Sequence, residues 1–440
     1  MTDSWERAAG GHRMLGDLLT ASHLMPLELL PARVVESAVH AGFSDVLIYV
    51  GDLQRRVLRL VTGLGEPDTG QETEISVGGT VPGRAYQYGE IVEAKAPDTQ
   101  GSHWWVPLVD GTERLGVLRV CSAHDDPRAR GDAAELASLV ALILVSKRAG
   151  SDSLARLTRS RPLNVAAEMQ WRLTNPRSYA DGRVVISAAM EPAYEISGDA
   201  FDYGTDGPLV HLSIFDAMGH DTAAGLTANL AVGACRNARR QGADLLTTGE
   251  AVEEVLIEQY GYQRYVTGIL AGLDTRSGEL TWVNRGHPPP VLIRGSRWSA
   301  HLTCKPLHPM GTGLGVRHPP CTERLEPGDR VAFYTDGITE ARNSEGAVFG
   351  LERFTDFLIR RHADQLPVPE TLRRLTKTVL DYHEGHVQDD ATILLCEWLG
   401  PSLTATEHAA ALAAVPDHHT GPGSADDAAP APSQHRSIRP

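Results

Sequence analysis

The sequence predicts an α+β protein of two folding units joined by a helical connector. Short β-like runs recur between a few helical stretches in both halves of the chain. A middle stretch, 149–175, carries one-sided apolar residues at helical spacing. Beyond it, aspartates stand at the ends of strand-like runs between about 184 and 398. With 440 residues, each unit has the length to bury a core.

Composition narrows the function classes. With 42% hydrophobic and 22% charged residues, the chain is no disordered polymer, coiled-coil rod or collagen. A net charge of -15 repels a nucleic acid duplex on average, so no nucleic-acid partner is expected. The five cysteines, Cys121, Cys235, Cys304, Cys321 and Cys396, form no C-x-x-C and are expected as reduced, mostly buried thiols. The N-terminus has no apolar signal core, and the apolar run 139–145 is too short to span a bilayer. A cytoplasmic protein with no membrane association is therefore expected.

Residues 1–30 form an N-terminal segment, and 31–148 the first unit. Val34, Val35, Ala38 and Val39 predict a helix over 31–41. Strand-like runs follow at 45–50, 56–63, 104–109 and 115–122, and an apolar helix over 133–147 closes the unit. One of the adjacent Trp104 and Trp105 must face inward on a strand. Cys121 and His124 read as a strand-end thiol and a loop histidine, with a tetrapyrrole anchor as the sharper alternative. The helix, the antiparallel strands, the segment "GGTVPGRAYQYGEIVEA" and the hairpin "PLVDGTERLGVLRV" together resemble a GAF domain. The resemblance implies a sensor unit and names no ligand.

In the connector, Leu163, Ala166, Ala167, Gln170 and Leu173 predict an amphipathic helix that docks on a partner, in a symmetric assembly a second copy of the chain. The tail, 400–440, is rich in Ala, Pro, Gly, Ser and His without apolar periodicity and is expected to be disordered.

The chemistry falls in 176–399. "EISGDAFDYG" places Asp199 and Asp202 after a strand, and "LVHLSIFDAMGHD" ends a strand on Asp216. "DRVAFYTDGITEAR" ends another on Asp336, and "GHVQDDATILLCEW" puts Asp389 and Asp390 before the last. One such aspartate is ordinarily a cap or turn former. Several at buried strand ends need cations to offset their charge, and hard divalent ions take oxygen ligands. Two ions sharing carboxylates would activate water as a nucleophile.

These motifs, with "LTWVNRGHPPPVLI" and "DDATILL" in the same order, resemble the SpoIIE-type branch of the metal-dependent (PPM, type 2C) serine/threonine phosphatases across residues 163–398. The resemblance implies an αββα β-sandwich, two Mn²⁺ or Mg²⁺ ions and hydrolysis of phosphoserine or phosphothreonine without a phosphoenzyme. It assigns Asp199, Asp216, the Ala217 carbonyl, Asp336 and Asp389 as metal ligands, Asp216 bridging. Asp202 is given a loop-fixing role, and Asp390 orients a water or caps the strand. His220 and His287 are candidate proton donors, with loop pinning preferred. Arg285 either contacts substrate phosphate or forms a salt bridge, and Asp221 either adds charge near the metals or caps the next helix. That helix, from Thr222 to about Gln241, is rich in alanine and acts in relatives as a switch.

The expected protein is thus a phosphatase regulated by its GAF-like unit and acting on a phosphorylated bacterial regulator such as an anti-sigma-factor antagonist. The alternatives are a catalytically silent sensor or scaffold with the same fold, and a hydrolase of small phosphoesters.

Overall fold

The computed structural model describes residues 2–63, 72–95, 102–122, 124–219, 221–383 and 389–401. His220 and the expected disordered tail from residue 402 onward lie outside them.

The N-terminal unit contains α1 (Thr2–Ser22), α2 (Leu30–Ala38), β1 (Phe43–Gly51), β2 (Val57–Leu60), β3 (Glu74–Ser76), α3 (Val81–Tyr88), β4 (Val92–Lys95), β5 (Ser102–Asp110), β6 (Glu113–Ser122) and α4 (Pro127–Arg148). The strands pair antiparallel in the order β3-β2-β1-β6-β5-β4. Two helix ends show the local reason for them. Asp126 accepts a hydrogen bond from the Ala129 amide at the start of α4, with Pro127 at the first helical position. After α2, a short turn of tighter helix stops at Gly42, whose φ of 79° opens the way into β1.

Helices α1, α2 and α4 cover one face of this sheet and α3 the other. Residues 1–30 contribute α1 to this core, with Met14 and Leu18 fully buried. Because both faces are covered, both tryptophans are buried: Trp104 packs among the α1–α2–α4 residues and Trp105 against Tyr49 on the opposite face. His124 sits in a turn where its amide and carbonyl are both bonded by the Ser122 hydroxyl.

The connector is helical, as α5 (Asp152–Thr158) and α6 (Val165–Leu173). Its inward face differs from the expected one. Asn164 caps α6 through the Ala167 amide, so Leu163 precedes the helix, and the fully buried positions are Ala167 and Gln170. Val165, Met169 and Leu173 are exposed.

The C-terminal unit runs β7 (Ser178–Ala180), β8 (Val184–Glu191), β9 (Asp199–Asp206), β10 (Leu209–Ala217), α7 (Thr222–Arg240), α8 (Leu245–Tyr260), β11 (Val266–Asp274), β12 (Glu279–Arg285), β13 (Val291–Arg294), β14 (Trp298–His301), β15 (Cys321–Arg324), β16 (Arg330–Tyr334), α9 (Asp336–Thr339), α10 (Gly350–Ala363), α11 (Val368–Tyr382) and β17 (Ala391–Trp398). Two antiparallel sheets, β15-β12-β11-β10-β9 and β14-β13-β16-β17-β8-β7, face each other. Phe201, Ile214 and Trp282 from one meet Ile186, Phe333 and Leu394 from the other in a shared core. Helices α7 and α8 cover the outer face of the first sheet, and α10 and α11 that of the second. The result is a four-layered α-β-β-α sandwich.

One cysteine expectation fails. Cys304 and Cys321 form a disulfide, with Cα atoms 5.8 Å apart. The pairing of β12 with β15 places Cys321 opposite Trp282, and the chain returning from β14 brings Cys304 to the same edge. Spacing along the chain carries no sign of that meeting. Cys121, Cys235 and Cys396 are free thiols. Among the described residues no helix is long and apolar enough to cross a membrane.

Candidate active site

At one end of the sandwich both sheets terminate in aspartates. Asp199 opens β9 and Asp216 stands near the end of β10, and antiparallel register sets them directly opposite each other. Asp336 opens α9 after Thr335, which follows β16, and Asp389 and Asp390 precede β17. Asp199 is 1% exposed, Asp390 is buried, and Asp389 lies at the exposed rim.

Bonds between the sheets hold this end closed. The Thr335 hydroxyl, at the end of β16, donates to Asp199 Oδ2 at 2.7 Å and accepts from the Thr392 amide at 2.9 Å. The Gly198 amide donates to Asp390 Oδ2, so Asp390 ties the β9 loop to the β17 end. Asp389 Oδ1 accepts from the Asp390 amide at 2.9 Å. Gly198 is required by space: a Cβ there would lie 2.5 Å from the Gly219 carbonyl oxygen and 3.0 Å from that of Ala217. The Ala217 carbonyl therefore borders the same loop as Asp199.

Among the described residues no basic side chain offsets the charges of Asp199, Asp216, Asp336 and Asp389. Burial, followed by the fields of Asp216 and Asp390, raises Asp199 well above the usual carboxylate range. Burial and the charges of Asp336, Asp389 and Asp390 push Asp216 up to about 7. Asp336 is raised by burial, then by Asp389 and Glu340. Among the described residues no group of three or more His, Cys, Asp or Glu side chains stands in an arrangement that could hold a metal ion. Magnesium-type ions are commonly held by only one or two carboxylates and keep several waters. An all-oxygen donor set with excess negative charge suits such ions and excludes soft, thiolate-seeking ones.

The remaining candidates are placed as follows. Asp202 is consumed by Arg236 at 2.7 Å, Arg239 at 2.9 Å and the Asn175 amide at 2.8 Å, a buried network that fixes β9 against α7. Arg285 pairs with Glu253 at 2.5 Å, so of its two readings the salt bridge is the one present. Asp221 caps α7 through the Ala224 amide at 2.8 Å and faces Arg264. His287 is 5% exposed, its Nε2 donating to the Tyr334 carbonyl and its Nδ1 accepting from the Thr267 hydroxyl. Burial lowers it to about 4, so it is neutral at physiological pH. Asn284 bonds both its amide and its carbonyl at 2.8 Å, completing a pinned loop.

Two contributors escaped the sequence reading. Thr335 carries no local signal beyond its place before Asp336. Gln170 stood on the inward face of the connector helix, and its polarity there was the signal. Its Nε2 donates to the carbonyls of Ser197 at 2.9 Å and Asp199 at 2.8 Å, and its Oε1 accepts from the Ser197 amide at 3.1 Å. One connector side chain thus clamps the backbone that carries Asp199.

Residues 206–399 match the family model of stage II sporulation protein E (SpoIIE). Over that span the chain is similar to the SpoIIE family. Asp216, Asp336 and Asp389 fall inside the match, while Asp199 lies just before it and Gln170 well upstream. The chain is 23% identical over 238 residues to the phosphoserine phosphatase RsbU of Bacillus subtilis, covering 53% of this chain and 69% of RsbU. It is 26% identical to the solved RsbU and RsbW domains of Rv1364c from Mycobacterium tuberculosis, covering 50% of this chain and 62% of that one, with a TM-score of 0.44. The SiaA-PP2C domain of Pseudomonas aeruginosa is 19% identical, covers 58% of this chain and 99% of that one, and superposes with a TM-score of 0.46.

Proposed function

We propose that the C-terminal unit is a metal-dependent protein-serine/threonine phosphatase. The observation that carries this reading is the meeting of strand-end aspartates from both sheets, partly buried and without a basic partner among the described residues. The match to the SpoIIE family and the likeness to a phosphoserine phosphatase support it.

Asp199, Asp216, Asp336, Asp389 and the Ala217 carbonyl would hold two Mn²⁺ or Mg²⁺ ions. When bound, these supply Lewis acidity toward the phosphate ester and lower the pKa of water. The rest is done by the chain itself. Thr335 orients the Asp199 carboxylate, Asp390 holds the Gly198 loop, and Gly198 keeps the approach to the Ala217 carbonyl clear. His287, neutral and bonded at both nitrogens, positions the loop and is not the acid for the leaving oxygen.

The substrate in this reading is a phosphorylated bacterial regulator of the anti-sigma-factor-antagonist kind. The N-terminal unit serves as a GAF-like sensor acting through α5 and α6, and the exposed Val165, Met169 and Leu173 are the surface through which two copies would pair. The test is phosphate release from a phosphoserine peptide with Mn²⁺, with EDTA, and with Asp336→Asn. Mn²⁺-dependent turnover abolished by the substitution is expected. Absence of both turnover and calorimetric Mn²⁺ binding would leave the silent scaffold.

A further inference from the structure

Away from the aspartates, one buried and two half-buried arginines gather where the N-terminal unit meets the sandwich. Arg55 lies in the turn between β1 and β2, Arg114 is the second residue of β6, and Arg177 precedes β7. Contacts fix their neighbourhood. Arg177 Nη1 donates to the Leu53 carbonyl, two residues from Arg55, and its guanidinium lies 5.4 Å from the Trp171 ring centre. The Tyr86 hydroxyl, next to Gly51 at the start of the same turn, donates to the Arg114 carbonyl at 3.2 Å.

Among the described residues none of the three has a carboxylate partner. Arg55 is 8% exposed and held at a φ of 56°, a backbone conformation side chains rarely adopt. Nε and Nη1 of Arg114 are shut off from solvent and, among the described residues, make no hydrogen bond. The nearby acids are already committed. Glu113 pairs with Arg148, and Glu370 with Arg373 and Arg374. Glu191 accepts from Gln54 and the Ala193 amide, and Asp52 accepts from two turn amides and Ser160. Burial above all, with a smaller push from Arg55, lowers Arg114 and Arg177 to about 10 against the fields of Glu370 and Tyr86 on the first and of Glu113, Tyr86 and Glu191 on the second.

Buried charge without a counterion is costly, and planar guanidinium forks match oxyanions in shape and hydrogen bonding. We infer that Arg55, Arg114 and Arg177 form a binding site for a small phosphate-class oxyanion at the junction of the two units. Three cations approaching from a turn, a strand and the chain before β7 suit a multiply charged tetrahedral anion better than a single carboxylate. Two of the arginines belong to the N-terminal unit and one to the segment entering the sandwich, so a bound anion ties the units together.

Thermal unfolding of the full chain in EDTA, with inorganic phosphate against chloride at equal ionic strength, tests this. The unfolding temperature is expected to rise with phosphate. The response is expected to persist in Asp336→Asn. In Arg55→Gly, whose glycine suits the turn, and in Arg114→Met, it should need at least about tenfold more phosphate. A parallel titration with glycerol 2-phosphate distinguishes a phosphate ester, if it acts at lower concentration, from the free ion, if only phosphate acts. No phosphate-specific rise in the unsubstituted chain, or an unchanged response in Arg55→Gly, would overturn the assignment and leave the surrounding carboxylates as the only counter-charge.

Discussion

Replacing Gln170 by alanine removes a side chain that satisfies three backbone groups at once. The carbonyls of Ser197 and Asp199 each lose a donor, at 2.9 and 2.8 Å, and the Ser197 amide loses an acceptor at 3.1 Å. Gln170 is 1% exposed, so water reaches these groups only if the loop moves. A buried polar group left unpaired costs about 1–3 kcal/mol, and three neighbours sharing one relaxed loop should together cost about 3–4 kcal/mol. The loss falls on the backbone of Asp199, so stability and metal affinity are expected to fall together. Gln170→Glu keeps one acceptor, discards both donors and brings a negative charge toward Asp199, so its Mn²⁺ site should be disturbed in a different proportion to its stability. Urea unfolding followed by tryptophan fluorescence gives the first quantity and calorimetric Mn²⁺ titration the second. A loss below about 1 kcal/mol in the alanine variant, with unchanged Mn²⁺ affinity, would refute the clamp.

Further outcomes follow from the same geometry. Gly198→Ala places a methyl against the carbonyl oxygens of Gly219 and Ala217, neither of which can swing aside. A displacement of that size should lower Mn²⁺-dependent phosphate release roughly 100-fold. Asp216, raised to about 7 without metal, carries a proton that Mn²⁺ must displace. Its folded value lies above its unfolded one, so metal-free stability is expected to fall as pH rises from about 4 through 7. Over the same range Mn²⁺ affinity should rise by roughly tenfold per pH unit. Calorimetry in two buffers of different ionisation enthalpy measures the released proton directly. His287 has the opposite sign: lowered to about 4, it stabilises above its unfolded value near 6.5 and loses that contribution as pH falls. Between pH 7 and 5 the stability gap between the unsubstituted chain and His287→Asn should shrink by about 2 kcal/mol, read from urea unfolding at each pH.

The strand-end aspartates were legible because carboxylates beside glycine at the ends of apolar runs are chemically costly wherever they are buried. The alternation of "LVHLSIFDA" likewise announced β10, and the apolar run over 133–147 announced most of α4, whose first turn depends on a cap at Asp126. Residues 1–30 looked like a lead-in because α1 is only weakly one-sided, yet Met14 and Leu18 are fully buried by α2 and α4. Short strands such as β3 and β4 exist through pairing and have no pattern of their own. The Cys304–Cys321 bond and the Thr335–Asp199 hydrogen bond join residues whose meeting depends on tertiary folding, so spacing could not reveal them. Gln170 lies between these cases: its helix was visible, and its partners were not.

Asp199 and Asp216 belong to one sheet of the sandwich, and Asp336, Asp389 and Asp390 to the ends of the other. The spacing between these groups is therefore inherited from the thickness of the layer between the sheets, set by Phe201, Ile214, Phe333 and Leu394. The carboxylates act as a caliper on the interior. A change of volume among those core side chains alters the gap at the rim even when no residue of the rim is touched, and sequence drift in the core is constrained by the gauge it keeps.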